Sequence, residues 1–242
     1  MSTAAMEGYK MNGGRSSGDM VRVRADGFKV KDPWSALTHF IGAVASTTAL
    51  PFLLTQVRGR GASPGVTAAF LIFDLCMICL YTASTCYHAF NFSDAVNLKL
   101  KKFDHLSIFL LIAGSYTPVC VTVLAGRRGN ILLAAVWGVA AAGMVIKFLW
   151  VTCPRWFSSV LYIMMGWACL TSIPTLWHNM THSGFFLLLF GGIFYTIGGV
   201  IYALKCPKFN AKHPDFGTHE IFHVFVMAGS LMHFMMAYYC LV

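Results

Sequence analysis

The sequence predicts an all-α, polytopic membrane protein with seven transmembrane helices, and three observations carry that prediction. Of 242 residues, 57% are hydrophobic and only 11% are charged. The mean hydropathy is +0.65. Acidic and basic residues are nearly absent from windows such as 35–57 and 66–90. Stretches of about 20 apolar residues are long enough to cross a hydrocarbon core of ~30 Å.

The elements follow in order. Residues 1–32 are rich in Gly, Ser and charge without periodicity, the composition of a disordered tail. No short cleavable leader is expected ahead of the first apolar run. Residues 33–242 form one seven-helix transmembrane domain. Asp32-Pro33-Trp34-Ser35 begins it, with Trp34 at headgroup level. The expected spans are Ser35–Val57, Val66–Phe90, Phe103–Leu124, Asn130–Val151, Phe157–Trp177, Gly184–Leu204 and Phe216–Leu241. Pro118 and Pro174 should kink the third and fifth, because proline removes a backbone donor. Gly191-Gly192 and Gly198-Gly199 recur a heptad apart and read as a packing strip where helix backbones approach closely.

Charge sets the expected orientation. With the N-terminus inside, short inner loops and span ends hold Lys99, Lys101, Lys102, Lys147, Arg155, Lys205, Lys208 and Lys212. The outer side holds Arg58, Arg60, Arg127 and Arg128. The excess of basic residues inside predicts a cytoplasmic N-terminus and an outer C-terminus. The formal charge of +9 is spread over the tail and these loops, so it reads as topology and headgroup contact, not nucleic-acid binding. Cysteines inside apolar spans behave as small hydrophobes, and Cys153 and Cys206 fall in loops on the reducing side, so all should be free.

Topology gathers scattered polar residues. His219 and His223 lie one turn apart on one helix face, ~6 Å along the axis, which suits two imidazoles on one ion. His219-Glu220-Ile221-Phe222-His223 also spells H-E-x-x-H, although it opens a membrane span rather than a soluble site. Ser84 and His88 lie near the inner end of the second span, and Asp104 opens the third. Five metal-competent or water-orienting groups therefore reach one depth. Three imidazoles with an open position form a recurring zinc arrangement.

These residues resemble the hemolysin III family, within the progestin and adiponectin receptor superfamily. The matching segments are Asp32-Pro33-Trp34-Ser35-Ala36-Leu37-Thr38-His39, Ser84-Thr85-Cys86-Tyr87-His88, Phe103-Asp104-His105, Ala113-Gly114-Ser115-Tyr116-Thr117-Pro118 and the final H-E-x-x-H. The resemblance implies that His88, His219 and His223 hold Zn2+, while Asp104 and Ser84 hold the catalytic water. It implies metal-dependent hydrolysis of a lipid amide or ester, ceramidase-like, with a membrane lipid as substrate or ligand. Two alternatives stay open: a receptor-like or homeostatic protein with structural zinc, and a cytolytic pore.

Other polar residues receive plainer expectations. Glu220 reads as a partner standing behind the metal-binding residues or as a solvated residue at the inner mouth, with the latter favoured. His39 should be a packing or rim residue. His105, adjacent to Asp104, should point elsewhere, and Lys147 should snorkel to headgroups. His178 and His182 lie in an outer loop without an expected metal. Asp74 is fourteen residues from His88, as His233 is from His219. Both displacements run ~21 Å outward and return nearly to the same face, so the two could pair above the metal or hydrogen-bond separately.

Overall fold

The computed structural model describes residues 29–241, so the expected tail lies outside the described residues except for its last four. Seven helical segments are long and apolar enough to span a membrane. They are α1 (Pro33–Gly59), α2 (Pro64–Ala89), α3 (Asp94–Thr122), α4 (Arg127–Leu149), a broken fifth span, α7 (His182–Leu204) and α9 (Thr218–Cys240). The fifth comprises α5 (Arg155–Gly166), a 3₁₀ segment (Trp167–Ser172) and α6 (Ile173–Asn179). A short α8 (Pro207–Lys212) precedes α9. Among the described residues there is no strand.

Local chemistry places the helix ends. Pro33 and Pro64 occupy first-turn positions, where the missing N–H costs nothing. The hydroxyls of Ser63 and Thr181 accept from the amides of Val66 and Gly184. Within the spans, Ser46, Thr85, Thr117 and Thr196 donate back to carbonyls four residues earlier. That satisfies each hydroxyl without a partner helix.

Neighbouring spans pack in chain order and the ring closes. α1 meets α2, α2 meets α3, α3 meets α4, α5 meets α7, α7 meets α9, and α9 returns to α1. α3 also touches α5 and α9, so it leans into the ring. Contacts are close where glycine faces a large neighbour: Gly42 against the Tyr81 ring, Gly114 against Cys76 and Gly143 against Phe109. The expected glycine strip is a packing surface in part. Gly191 and Gly198 face His233 and Phe225 of α9, while Gly192 and Gly199 look toward Trp167 and Ile163.

Pro174 acts differently from expectation. α3 runs through Pro118 as one helix. The fifth span is broken ahead of Pro174, at the 3₁₀ segment, and Pro174 starts α6 instead of kinking a continuous helix. Tyr116 of α3 makes the break tolerable. Its hydroxyl donates to the Gly166 carbonyl (2.5 Å), with the Met165 carbonyl at 3.2 Å, and accepts from the Cys169 amide (3.0 Å). Backbone groups freed from the helix thus find partners inside protein, as lipid requires.

Lys147 does not snorkel. It is buried, with Nζ 3.2 Å from Cys153 Sγ and 3.5 Å from the Val151 carbonyl, and Cys153 Sγ contacts Ser158 Oγ at 3.3 Å. The turn into α5 offers these inward partners, and they compete with the headgroup region for the ammonium. All eight cysteines are free.

Candidate metal centre

Two helix ends build the site. α2 delivers His88 from its last turn, and α9 delivers His219 and His223 from its first two. The turn before α9 is tightly held. Lys205 takes a left-handed backbone (φ 57°), and its carbonyl accepts from Asn210 Nδ2 and Thr218 Oγ1. Asn210 Oδ1 accepts from the Thr218 amide (2.8 Å). Glu220 Oε2 accepts from the Gly217 amide (2.8 Å), which is the glutamate half of a capping box. These bonds fix where α9 begins, and hence where its first two histidines stand.

The trio converges. Ligand-capable atoms of His88, His219 and His223 all lie within 4.8 Å of one another, and two of the three residues are buried. His88 Nε2 and His219 Nε2 are 3.2 Å apart. Two nitrogens bound tetrahedrally at the usual zinc–nitrogen length stand ~3.3 Å apart, so the spacing suits one shared ion. This group can bind a metal.

Outer partners orient the rings. His88 Nδ1 lies 2.9 Å from Asp32 Oδ2, and His223 Nδ1 lies 3.2 Å from Thr38 Oγ1. The Thr38 hydroxyl is 3.0 Å from the carbonyls of Trp34 and Ser35, which can only accept its proton. With its proton given to these carbonyls it accepts from His223 Nδ1–H, which leaves Nε2 of that ring as a lone pair. The Asp32 carboxylate does the same for His88. Hydrogen bonding to His88 holds the Asp32 carboxyl below its ordinary range, against the opposing effect of burial. Burial pulls the neighbouring Lys31 ammonium down, and Asp32 opposes that shift. Main-chain bonds from Lys31 and Asp32 to the Ala89 and His88 carbonyls (3.2 and 2.8 Å) bind this segment to the end of α2.

The remaining expected site residues face a common cavity. Asp104, Ser84, His39, His219 and His223 line one cavity. It continues past Leu111, Tyr116 and Trp167 to Leu124, Leu132, Leu176 and Phe185. Along α3 the lining runs from Asp104 to Val119, a rise of ~22 Å. Its walls are overwhelmingly hydrophobic. The Ser84 hydroxyl is buried and has no hydrogen-bond partner among the described residues.

Several expectations change. His105 does not point away from Asp104: its Nδ1 sits 3.4 Å from Asp104 Oδ2 and 2.8 Å from the Lys101 carbonyl, and it lines the same cavity. Nδ1–H reaches back along the helix to the turn that also carries the aspartate. Glu220 is not simply solvated, since its Oε1 accepts from Ser35 Oγ (2.5 Å) and ties α9 to α1. His39 is a packing residue, although not at the rim: it is 4% exposed and stacks on His223 at 3.6 Å between ring centroids. Asp74 and His233 make no ion pair among the described residues. His233 Nε2 contacts the Leu188 carbonyl (3.2 Å), whereas both carboxylate oxygens of Asp74 lack a partner among the described residues. Two residues returning to one face of their own helices need not face one another, because helix rotation is set by packing.

Asp32, Ser35 and Thr38 were not singled out as site residues from sequence. A helical projection carries a signal: 32, 35 and 39 fall on one face, with 38 beside it.

Seven membrane-crossing helices closed around a buried histidine trio define a multi-pass membrane protein with a candidate metal centre. The family model for Haemolysin-III related proteins matches residues 29–234, and the chain belongs to that family. It is 37% identical over 200 residues to Hemolysin-3 of Bacillus cereus, covering 83% of this chain and 87% of that one. It is 35% identical over 207 residues to the Hemolysin-3 homolog of Bacillus subtilis (strain 168), covering 85% and 92%. More distantly, it is 26% identical over 212 residues to progestin and adipoQ receptor-like protein 1 of Caenorhabditis elegans, covering 81% of this chain and 49% of the relative. These Bacillus relatives accord with a multi-pass protein of a bacterial plasma membrane.

Proposed function

We propose that the chain is a zinc-dependent membrane hydrolase cleaving an amide or ester bond of a membrane lipid. One observation carries the reading: a single long apolar cavity has its polar end at His219, His223, Asp104 and Ser84. An acyl chain is the natural occupant of such a space, and its head-end carbonyl would then lie among the polar groups. His88, His219 and His223 would hold the ion, which supplies Lewis acidity and a water acidified toward neutral pH. Asp104, which lines the same cavity, would accept a proton, with His105 Nδ1 3.4 Å from its Oδ2. The unpartnered Ser84 hydroxyl is available to hold water or substrate oxygen. The apolar walls exclude bulk water, which strengthens every charge interaction at the head end.

The names of the Bacillus relatives favour a second reading, a cytolytic pore. The hydrophobic wall argues against ion conduction through the cavity, because no ring of charge lines it. The test uses purified chain in lipid nanodiscs with two fluorescent substrates, an N-acyl sphingoid lipid and a diacyl glycerolipid. Wild type should release labelled fatty acid from one of them. Asp104→Asn should lose that release while keeping one zinc per chain. Zinc retained with no hydrolysis by wild type would support a structural, receptor-like metal instead. Conductance in planar bilayers that survives Asp104→Asn would favour the pore.

A further inference from the structure

The sequence segment just before and within the first turns of α1 has no role in the chemistry above, yet its polar atoms converge on the histidine trio. Asp32 Oδ2 meets His88 Nδ1 at 2.9 Å, and Thr38 Oγ1 meets His223 Nδ1 at 3.2 Å. Ser35 Oγ donates to Glu220, the residue following His219. Three bonds from one short segment therefore reach both helices that carry the candidate ligands. No other helix does this for the trio among the hydrogen bonds of the described residues.

We propose that Asp32 and Thr38 are positioning residues that preset His88 and His223 for metal capture, an inference resting on the metal-centre reading above. A histidine ring has two nitrogens, and a bond at one decides what the other presents. Asp32 accepts only, so His88 carries its proton on Nδ1 and turns an Nε2 lone pair inward. Thr38 has committed its own proton to backbone carbonyls, so it imposes the same choice on His223. His219 Nδ1 has no partner among the described residues, while its Nε2 is 3.2 Å from His88 Nε2. In the metal-free chain His219 Nε2–H can then donate to the His88 lone pair, and ligation through that Nε2 would need only the transfer of its proton to Nδ1 of the same ring. Asp32 adds negative charge behind His88, which raises the donor strength of its ring. Because main-chain bonds fasten Lys31 and Asp32 to the end of α2, α1 cannot move away from α2 without unsettling the site.

Two measurements on the full-length purified chain test this. Zinc affinity is read by competition with a chromogenic chelator for wild type, Asp32→Ala, Asp32→Glu, Thr38→Val and Thr38→Ser. Loss of an outer-shell partner costs roughly 10–100-fold in metal affinity. Asp32→Ala and Thr38→Val should each weaken binding by that order, whereas Asp32→Glu and Thr38→Ser should recover part of it. Nitrogen NMR of the metal-stripped chain, labelled in histidine rings, reads the tautomers directly. His88 and His223 should carry their protons on Nδ1, and His88 should change in Asp32→Ala. If wild type binds zinc and the Ala and Val variants bind it within twofold, the proposal falls and the metal reading stands. Nε2-protonated rings at 88 and 223 would also overturn it. Should wild type bind no zinc, both fall together.

Discussion

Adjacent glycines on α7 should respond oppositely to the same change. A Cβ built at Gly191 lies 2.3 Å from His233 Cδ2, 2.4 Å from His233 Nε2 and 3.2 Å from the Gly229 carbonyl. At Gly192 the nearest atoms belong to the Trp167 ring, at 3.7 Å, an ordinary contact. Alanine at either site gains up to about 1 kcal/mol in intrinsic helix preference. At 191 that gain is overcome. The imidazole must leave, losing its contact to the Leu188 carbonyl and its edge-to-face packing on Tyr195. A lost hydrogen bond of about 1 kcal/mol and overpacking of roughly 1–3 kcal/mol leave a net cost near 1–3 kcal/mol. With about 2–4 °C per kcal/mol for a chain of this size, Gly191→Ala should unfold several degrees below wild type. Gly192→Ala should match wild type or exceed it slightly. The assay is thermal unfolding in one detergent, followed by circular dichroism. Equal midpoints for the two variants would refute the close α7–α9 approach, and with it the helix register that places His219 and His223.

Further expectations are simpler to read. His219→Ala and His223→Ala should each lower bound zinc from one per chain toward zero after dialysis against a weak chelator, measured by elemental analysis. Asp32 is held below its ordinary carboxyl range, so its stabilising contribution is complete above the unfolded value of ~4 and is lost as pH falls through the folded one. Asp32→Asn should therefore flatten the acid limb of a stability–pH profile while changing little in its dependence near neutrality. Cys206 is exposed, whereas Cys153 is buried. A membrane-impermeant maleimide should modify Cys206 in the folded chain and reach Cys153 only on unfolding. If the N-terminus is cytoplasmic, that reagent should label Cys206 in inverted vesicles and not in intact cells. Lys147→Met should be tolerated, but Cys153→Ala should destabilise, since it strips a buried ammonium of one partner.

The seven spans were legible in sequence because bilayer thickness imposes a length and a composition that one dimension can carry. Chain order also carried much of the site, since alternating spans put the end of α2 and the start of α9 at one depth. Depth is not azimuth, however. Whether His88 faced His219, whether Asp74 faced His233 and whether Lys147 reached outward depended on how each helix turned against its neighbours. Packing fixes that rotation through contacts such as Gly191 on His233 and Gly42 on Tyr81. The break in the fifth span was hidden for a similar reason, because Tyr116, fifty residues away, supplies the partners that make it affordable. Asp32 and Thr38 were visible as residues and invisible as partners. Sequence by itself determined that histidines and carboxylates share a layer of the membrane; only the closed ring of helices, bringing α1 back against α9, decided which atoms meet.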